Sequence, residues 1–461
     1  MAAAKRLLAK SVLLPAGWAS ELVIEVDAGG RIAGLGTDVA AAGAERLEGL
    51  VLPGMPNLHC HAFQRALAGL AERAGPAGDD FWSWREVMYR FLRTLSPDDI
   101  EAIAAELYLE MLKAGYTAVA EFHYLHKDPA GRPYANRAEL AERIAAAAAA
   151  TGIRLTLLPV LYQSGNFGGV LPSEGQCRFV TSTEEFVSLL ERLHGGAAAL
   201  GGFRLGLAPH SLRAVPPAAL QAAVAALDRL DAAAPVHIHA AEQEREVRDC
   251  LAWANTRPVR WLLDNMAIDE RWTLVHATHM ESDECLRLAR SGATAGLCPS
   301  TEGNLGDGLF PLRDYLAAGG RFGIGTDSNV TIDPAEELRW LHYGQRLRAE
   351  RRSFELEPPG TSLGTELWRQ ALAGGAKALA QGTGGISVGE AADLVVLDES
   401  HPALAGRRHA AALDSFVFTS ARGAVRDVMV AGRWVVRDGH HAAEARIADT
   451  YRRTVERLMD A

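Results

Sequence analysis

Two histidines one residue apart, His59 and His61 around Cys60, close an apolar extended run, Gly49-Leu50-Val51-Leu52-Pro53-Gly54-Met55-Pro56. Side chains on a strand alternate between faces, so residues i and i+2 point the same way and both imidazoles reach one metal ion. Imidazole is a favoured zinc ligand. Cys60 faces the other side, where it reads as a small apolar filler. Such a pair also arises by chance, and three later segments give it weight. Pro235-Val236-His237-Ile238-His239-Ala240-Ala241-Glu242 repeats the pattern. Spacing alone does not choose between His237 and His239, although a supporting role suits His237. Glu242 lies three residues beyond His239, where the strand gives way to a helix, and places a carboxylate beside a metal-bound water. Trp272-Thr273-Leu274-Val275-His276-Ala277-Thr278-His279 ends on two histidines, either of which also reads as a buried residue with its hydrogen bonds met. Arg321-Phe322-Gly323-Ile324-Gly325-Thr326-Asp327-Ser328 ends on a carboxylate. Alone, Asp327 would cap the following turn. Four polar strand ends in series point instead to a hydrolytic metal site.

Such residues need a scaffold that brings strand ends together. Short apolar strands ending near His61, His123, Tyr162, His210, His239, His276, Ser300 and Asp327 alternate with helical stretches. The helices are expected over Asp98–Ala114, Arg137–Ala150, Thr183–Ala199, Pro216–Leu230, Glu242–Asp264 and Pro334–Arg351. Eight strand-helix units call for an α/β fold of the TIM-like (β/α)8 barrel type, whose functional residues collect at the C-terminal strand ends. The first fifty residues alternate instead as hairpins, as in Glu21–Val26 and Arg31–Gly34, and similar texture returns in Ala392–Asp398 and Val428–Val436. The expected organisation is a small β-sandwich domain from both chain ends (1–52 and 382–440), a barrel over 53–381 and a C-terminal helix over 441–461.

The 461 residues are 48% hydrophobic and 23% charged, an ordinary globular balance, and the net charge of −10 argues against a general nucleic-acid surface. Five cysteines at wide spacing, without a CxxC, suit a reducing compartment and exclude a cysteine-based zinc site. No run of 18 apolar residues suggests a membrane span, and Lys10 interrupts the only short apolar stretch near the N-terminus, so a cytoplasmic protein is expected. A homodimer is the default among soluble oligomers.

With these segments in order, the chain resembles the amidohydrolase superfamily: HxH after strand one, His after strands five and six, Asp after strand eight. The late Gly389-Glu390-Ala391-Ala392-Asp393-Leu394-Val395-Val396-Leu397-Asp398 resembles the return into that superfamily's small β domain. Some members bridge two metals with a carboxylated lysine on strand four. The lysines here are Lys5, Lys10, Lys113, Lys127 and Lys377, none of them in the fourth-strand candidate Arg204–Leu212. The resemblance therefore implies one metal per subunit, zinc, with iron or another divalent ion as alternatives, held by His59, His61, His239 and Asp327. It assigns His276 and Asp327 to orienting water and taking its proton, and Glu242 to carrying a proton to a leaving nitrogen.

A closer resemblance is to the formimidoylglutamate deiminases of histidine breakdown. It rests on Met55–Arg65, Phe81–Tyr89, Ala120–His126, Ala208–Val215 and Cys298-Pro299-Ser300-Thr301-Glu302-Gly303-Asn304. It implies hydrolysis of N-formimidoyl-L-glutamate to N-formyl-L-glutamate and ammonia. A small dicarboxylate substrate calls for guanidinium partners. The resemblance names Arg85 and Arg213, with Gln64, Tyr124 and His210 completing the pocket. Two other readings stay open: an aminohydrolase of a purine, pterin or triazine ring, for which Trp82 and Trp84 would line the site, and a metal-dependent binding protein without turnover.

Overall fold

The computed structural model describes residues 4–37, 43–72, 81–352, 360–382, 384–419 and 421–460. Residues 1–3, 38–42, 73–80, 353–359, 383, 420 and 461, which the expected segment boundaries also include, lie outside the described residues. The strands are β1 (Lys5–Leu14), β2 (Gly17–Val26), β3 (Ile32–Gly36), β4 (Glu45–Pro53), β5 (Met55–Cys60), β6 (Tyr116–His123), β7 (Arg154–Leu161), β8 (Arg204–Leu205) and β9 (Ala208–Pro209). They continue with β10 (Val236–Ala240), β11 (Trp272–His276), β12 (Thr294–Leu297), β13 (Arg321–Ile324), β14 (Leu394–Leu397), β15 (Val425–Val430), β16 (Arg433–Arg437) and β17 (His440–His441).

Both ends of the chain meet in one eight-stranded sheet, ordered β17-β16-β15-β14-β4-β1-β2-β3. Its joint is β4, parallel to β1 and antiparallel to β14. Alternation decides its two faces. Val12, Ile24, Val51, Leu394 and Val396 share a small core of their own, whereas Leu13, Leu50, Leu52, Val395 and Leu397 join the main core. The sheet is a single hydrogen-bonded path, because β4 and β14 pair directly across the two ends.

The middle of the chain forms two parallel sheets, β5-β6-β7-β8, with β9 on β7, and β10-β11-β12-β13. Parallel bridges Cys60↔Asp327 on one edge and Leu207↔Val236 and Ser211↔His239 on the other connect them. These strands are buried along almost their whole length, which explains their continuous apolar runs.

Helices fill the connections: α1 (Phe81–Leu92), α2 (Pro97–Ala114), α3 (Glu139–Thr151), α4 (Thr183–Gly196), α5 (Pro217–Leu230), α6 (Glu244–Ala254), α7 (Pro258–Asn265), α8 (Ser282–Ser291), α9 (Pro299–Leu305) and α10 (Leu312–Ala317). Then follow α11 (Pro334–Ala349), α12 (Leu363–Leu379), α13 (His409–Phe418) and α14 (Glu444–Met459). On α12, a Cβ at Gly374 would lie 1.8 Å from the Phe322 carbonyl oxygen, so only glycine lets this helix pack onto β13.

Four expectations need correction. The helix expected over Glu242–Asp264 is two helices, because Asn255 turns left-handed (φ 51°) and Pro258 cannot continue α6. The fourth strand breaks into β8 and β9 around Gly206, where the Pro235 carbonyl oxygen would lie 2.6 Å from any Cβ. Ser300, expected at a strand end, sits in the first turn of α9, since β12 stops at Leu297 and Pro299 opens a helix. Finally, His441 belongs to β17 rather than to the last helix, which starts at Glu444.

Candidate active site

The ends of β5, β10, β11 and β13 converge. His59, His61 and His239 bring ring nitrogens within 4.8 Å of one another. The His61 Nδ1 donates to the Phe122 carbonyl at 2.9 Å, and the His239 Nδ1 donates to the His210 carbonyl at 3.0 Å. A carbonyl only accepts, so both Nδ1 atoms carry the proton and both Nε2 atoms keep a lone pair. Those lone pairs face each other's neighbours: His239 Nε2 is 3.1 Å from His59 Nε2, and His61 Nε2 is 3.3 Å from Asp327 Oδ1. His59 Nε2 lies 3.5 Å from the same oxygen. Burial pushes the His59 pKa down to about 3 and lowers those of His61 and His239, so the rings are neutral. Burial acts to raise the Asp327 carboxyl, but the His59 hydrogen bond, with His61 and His276 nearby, holds it below the usual range. The lone pairs of His61 and His239 and the Asp327 carboxylate face one point beside His59 Nε2 and repel one another unless a proton or a cation stands among them. The donor set, three nitrogens and one oxygen, fits a divalent ion of the zinc type.

Backbone and amide groups fix this arrangement. Asn57 Oδ1 accepts from the amides of His59 and Thr326, and its Nδ2 donates to Thr326 Oγ1 at 2.8 Å. Asn329 Nδ2 donates to the His61 and Asp327 carbonyls at 2.9 and 3.0 Å. These contacts lace β5 to the loop after β13. The Cys60 side chain does turn away from the histidines, but it meets Asn329 Oδ1 at 3.5 Å rather than a purely apolar surface. Asp327 (φ 46°) and Asn329 (φ 59°) are left-handed, as are His276 (φ 67°) and Ala277 (φ 48°), so strain concentrates at the site. Between the two strands sits Gly325, where a Cβ would lie 2.7 Å from the His59 carbonyl oxygen. Gly325→Ala is expected to weaken metal binding by about 10–100-fold through displaced ligands, measured by titration against a chelator.

Beside the cluster, His276 is ringed by carboxylates. Its Nε2 lies 3.6 Å from Asp327 Oδ2 and 3.7 Å from Glu242 Oε1, and its Nδ1 is 3.2 Å from Glu302 Oε1. Burial opposes a charge on His276, yet Glu242, the Glu302 hydrogen bond and Asp327 outweigh it and raise the pKa to about 10. Burial also pushes Glu242 up to about 7, against the pull of His276 and Arg213. The arrangement can therefore hold and move a proton between Glu242 and His276 near neutral pH. His276, Cys298 and Asp327 form a second close group, but burial and neighbouring carboxylates keep the Cys298 thiol protonated, which makes it a poor ligand.

Gln64, Arg85, Tyr124, His210 and Arg213 line one pocket together with His61, His239, Glu242 and Asp327. Gln64 Nε2 donates to the Tyr124 hydroxyl at 2.8 Å, and among the described residues Gln64 Oε1 is buried without a partner. Arg85 lies 4.5 Å over the Trp82 ring, and among the described residues its Nε has no hydrogen-bond acceptor. Arg213 is 6% exposed, with Nη2 3.5 Å from Glu242 Oε2 and Nε 3.6 Å from Glu246 Oε2. Burial and the charge of Arg213 keep His210 neutral. Trp84 lines the pocket, whereas Trp82 is covered by Arg85 and Arg245.

His237 is placed elsewhere: its Nε2 donates to the Ala378 carbonyl at 2.9 Å. Among the described residues, Lys113 and Lys377 pair with Glu444 and Glu270 on the outside. Sequence reading gave no pocket role to Tyr89, Tyr162, Phe179 or Ser328, which also line the pocket. Tyr89 had a signal, since it follows Arg85 by four residues on α1 and so shares its face. Glu246, whose carboxylate accepts from the amides of Ala241 and Glu242, had none.

Two family models match the chain. Residues 50–435 match the Amidohydrolase family, and residues 6–49 match "Formimidoylglutamate deiminase HutF, N-terminal domain". The chain is 55% identical over 455 residues to the formimidoylglutamate deiminase of Pseudomonas aeruginosa, covering 98% of this chain and 99% of that one. It is 30% identical to the 5-methylthioadenosine/S-adenosylhomocysteine deaminase of Natronomonas pharaonis, over 89% of this chain and 86% of that one. The crystal structure of an amidohydrolase from Brucella melitensis matches with a TM-score of 0.93 and 46% identity, over 99% of this chain and 100% of that one. The chain belongs to the amidohydrolase family, and within it to the formimidoylglutamate deiminase group.

Proposed function

We propose that the chain hydrolyses N-formimidoyl-L-glutamate to N-formyl-L-glutamate and ammonia, in histidine degradation. The observation that carries this reading is the pair of guanidinium groups, Arg85 and Arg213, on the wall of a pocket that also holds His61, His239, Glu242 and Asp327. Two carboxylates of one small substrate match two guanidinium groups, which bind them as charged forks. Neutral His210, Tyr124 and Gln64 add hydrogen-bonding groups along the same wall.

His59, His61, His239 and Asp327 would hold one divalent ion, zinc before iron or another metal. Such an ion lowers the pKa of water to about 7 and so makes hydroxide available at neutral pH. The residues of the chain do the rest. Asp327 and His276 would orient the attacking water and take its proton, His276 Nε2 becoming free to accept it once a cation among the ligands offsets the carboxylates that raise its pKa. Glu242, 3.7 Å from that nitrogen, carries a proton onward to the departing nitrogen, which leaves as ammonia. Water supplies the oxygen of the new formyl group, so atoms and charge balance. Arg213, touching both Glu242 and the space for a substrate carboxylate, sets the distance between recognition and chemistry.

The same reading takes the two parallel sheets, bridged at both edges, as a closed (β/α)8 barrel over 53–381. It takes the terminal strands (1–52 and 382–440) as a β-sandwich folded over its own small core, followed by the final helix Glu444–Met459. The enzyme works as a cytoplasmic homodimer without nucleic-acid or membrane partners. The free cysteines support a reducing setting.

The decisive assay is ammonia release from N-formimidoyl-L-glutamate by metal-analysed protein. Arg213→Met is expected to lower kcat/KM by about 10²-fold for this dicarboxylate, the worth of a charge-assisted hydrogen bond, and far less for a neutral formimidoyl amine. Equal losses on both would remove Arg213 from carboxylate binding. A ring aminohydrolase is the second reading, favoured by Trp84 in the pocket wall. Saturable ammonia release from guanine, with none from formimidoylglutamate, would establish it instead.

A further inference from the structure

We infer that Glu302 is the positioning residue of His276: it holds the proton on Nδ1 and thereby keeps Nε2 aimed between Glu242 and Asp327. The segment Cys298–Asn304 entered the sequence comparison without a role for any of its residues. In the structure its carboxylate is 4% exposed and lies against a fully buried imidazole. Glu302 Oε1 accepts from His276 Nδ1 at 3.2 Å and from the Cys298 amide at 2.9 Å. Oε1 is thus an acceptor in both contacts, so the shared proton sits on Nδ1 of the ring and Nε2 is the nitrogen that faces Glu242 and Asp327.

The position of this carboxylate is fixed by more than the histidine. Glu302 lies in the first turn of α9, with its own amide donating to the Cys298 carbonyl at 2.8 Å. Ser300 donates its amide to Glu337 Oε2 at 2.9 Å, and its hydroxyl is also bound by that buried carboxylate. Thr301 Oγ1 donates to the Thr326 carbonyl at 3.1 Å and accepts from the Ser328 amide at 3.3 Å, one residue on either side of Asp327. One short turn is thus tied to the Asp327 loop on one side and to His276 on the other. His276 needs that outside support, because its left-handed backbone (φ 67°) lies outside regular strand geometry.

A role as helix cap alone would also place a carboxylate near the Cys298 amide, and substitution separates the two. Glutamine keeps an oxygen that can accept from both Cys298 and His276; alanine keeps neither. In the zinc-loaded full chain, Glu302→Ala is expected to lower kcat by about 10²-fold, with KM and metal content unchanged, the lower end of what a well-placed acid-base group supplies. Glu302→Gln should recover most of that loss. In ¹⁵N-histidine NMR spectra, His276 should be protonated at Nδ1 in the unaltered protein and in Glu302→Gln, and lose that preference in Glu302→Ala. The inference is overturned if Glu302→Ala lowers thermal stability while kcat stays within about threefold, a cap's behaviour. It is also overturned if both variants lose activity equally, or if the Nδ1 proton persists in Glu302→Ala. The proposal rests on the hydrolytic reading of His276, but the spectra need no substrate. A protein inert toward formimidoylglutamate that still shows a Glu302-dependent tautomer would refute that reading and leave this one standing.

Discussion

Glu242→Gln is expected to lower kcat by about 10³-fold while bound metal stays at its original level. The substitution keeps the size of the side chain and its place above α6, so ligands on β5, β10 and the β13 loop are not disturbed. What disappears is a group able to take a proton from His276 and release it to the departing nitrogen. Glu242 suits that task because burial raises its pKa to about 7, so the proton is neither lost at neutral pH nor held too tightly. Glutamine cannot cycle through the two states at all. Measurement of kcat beside metal analysis checks the expectation. Unchanged turnover would mean that Glu242 serves only to neutralise Arg213, 3.5 Å away, and would remove it from the proton path.

Removal of the metal is expected to be more severe. Chelator-treated protein should lose ammonia release almost completely and recover it with zinc, and with iron or manganese to differing degrees, but not with magnesium or calcium, which prefer oxygen ligands. The stripped protein should also melt at lower temperature. A ligand present at about 10³ times its dissociation constant stabilises the folded state by about 4 kcal/mol, and here the loss adds to repulsion among the exposed lone pairs of His59, His61, His239 and Asp327. His59→Ala should mimic both effects, since that ring faces His239 and Asp327 alike. Full activity after verified metal removal would exclude the mechanism proposed above.

Much of the scaffold was legible because its signals are local. Histidines spaced by two on apolar strands, followed by polar strand ends, need only the alternation of a strand to be read as one face, and the structure brings His59, His61, His239, His276 and Asp327 together. Errors arose where the deciding contact is distant or backbone-level. The break between α6 and α7 depends on Asn255 turning left-handed just before Pro258, and a continuous helical pattern on either side conceals it. The split of the fourth strand follows from the close approach of Pro235 to Gly206, which no local pattern announces. The amide lacing by Asn57 and Asn329 joins residues 269 apart, and the buried carboxylates of Glu246 and Glu302 look from sequence like ordinary helix-start acids.

The joint between β4 and β14 has a consequence for the order of events during synthesis. Pro53 pairs with Leu394, so β4 leaves the ribosome long before the strand that covers its edge exists. Until then its row of amides and carbonyls is an open edge, able to pair with another nascent chain. Closing so long a loop raises the entropic cost only slowly with length but delays assembly strongly. The strand that carries His59, with His61 just past its end, follows directly on β4. The histidine pair is therefore made long before the strand that closes the sheet beside it.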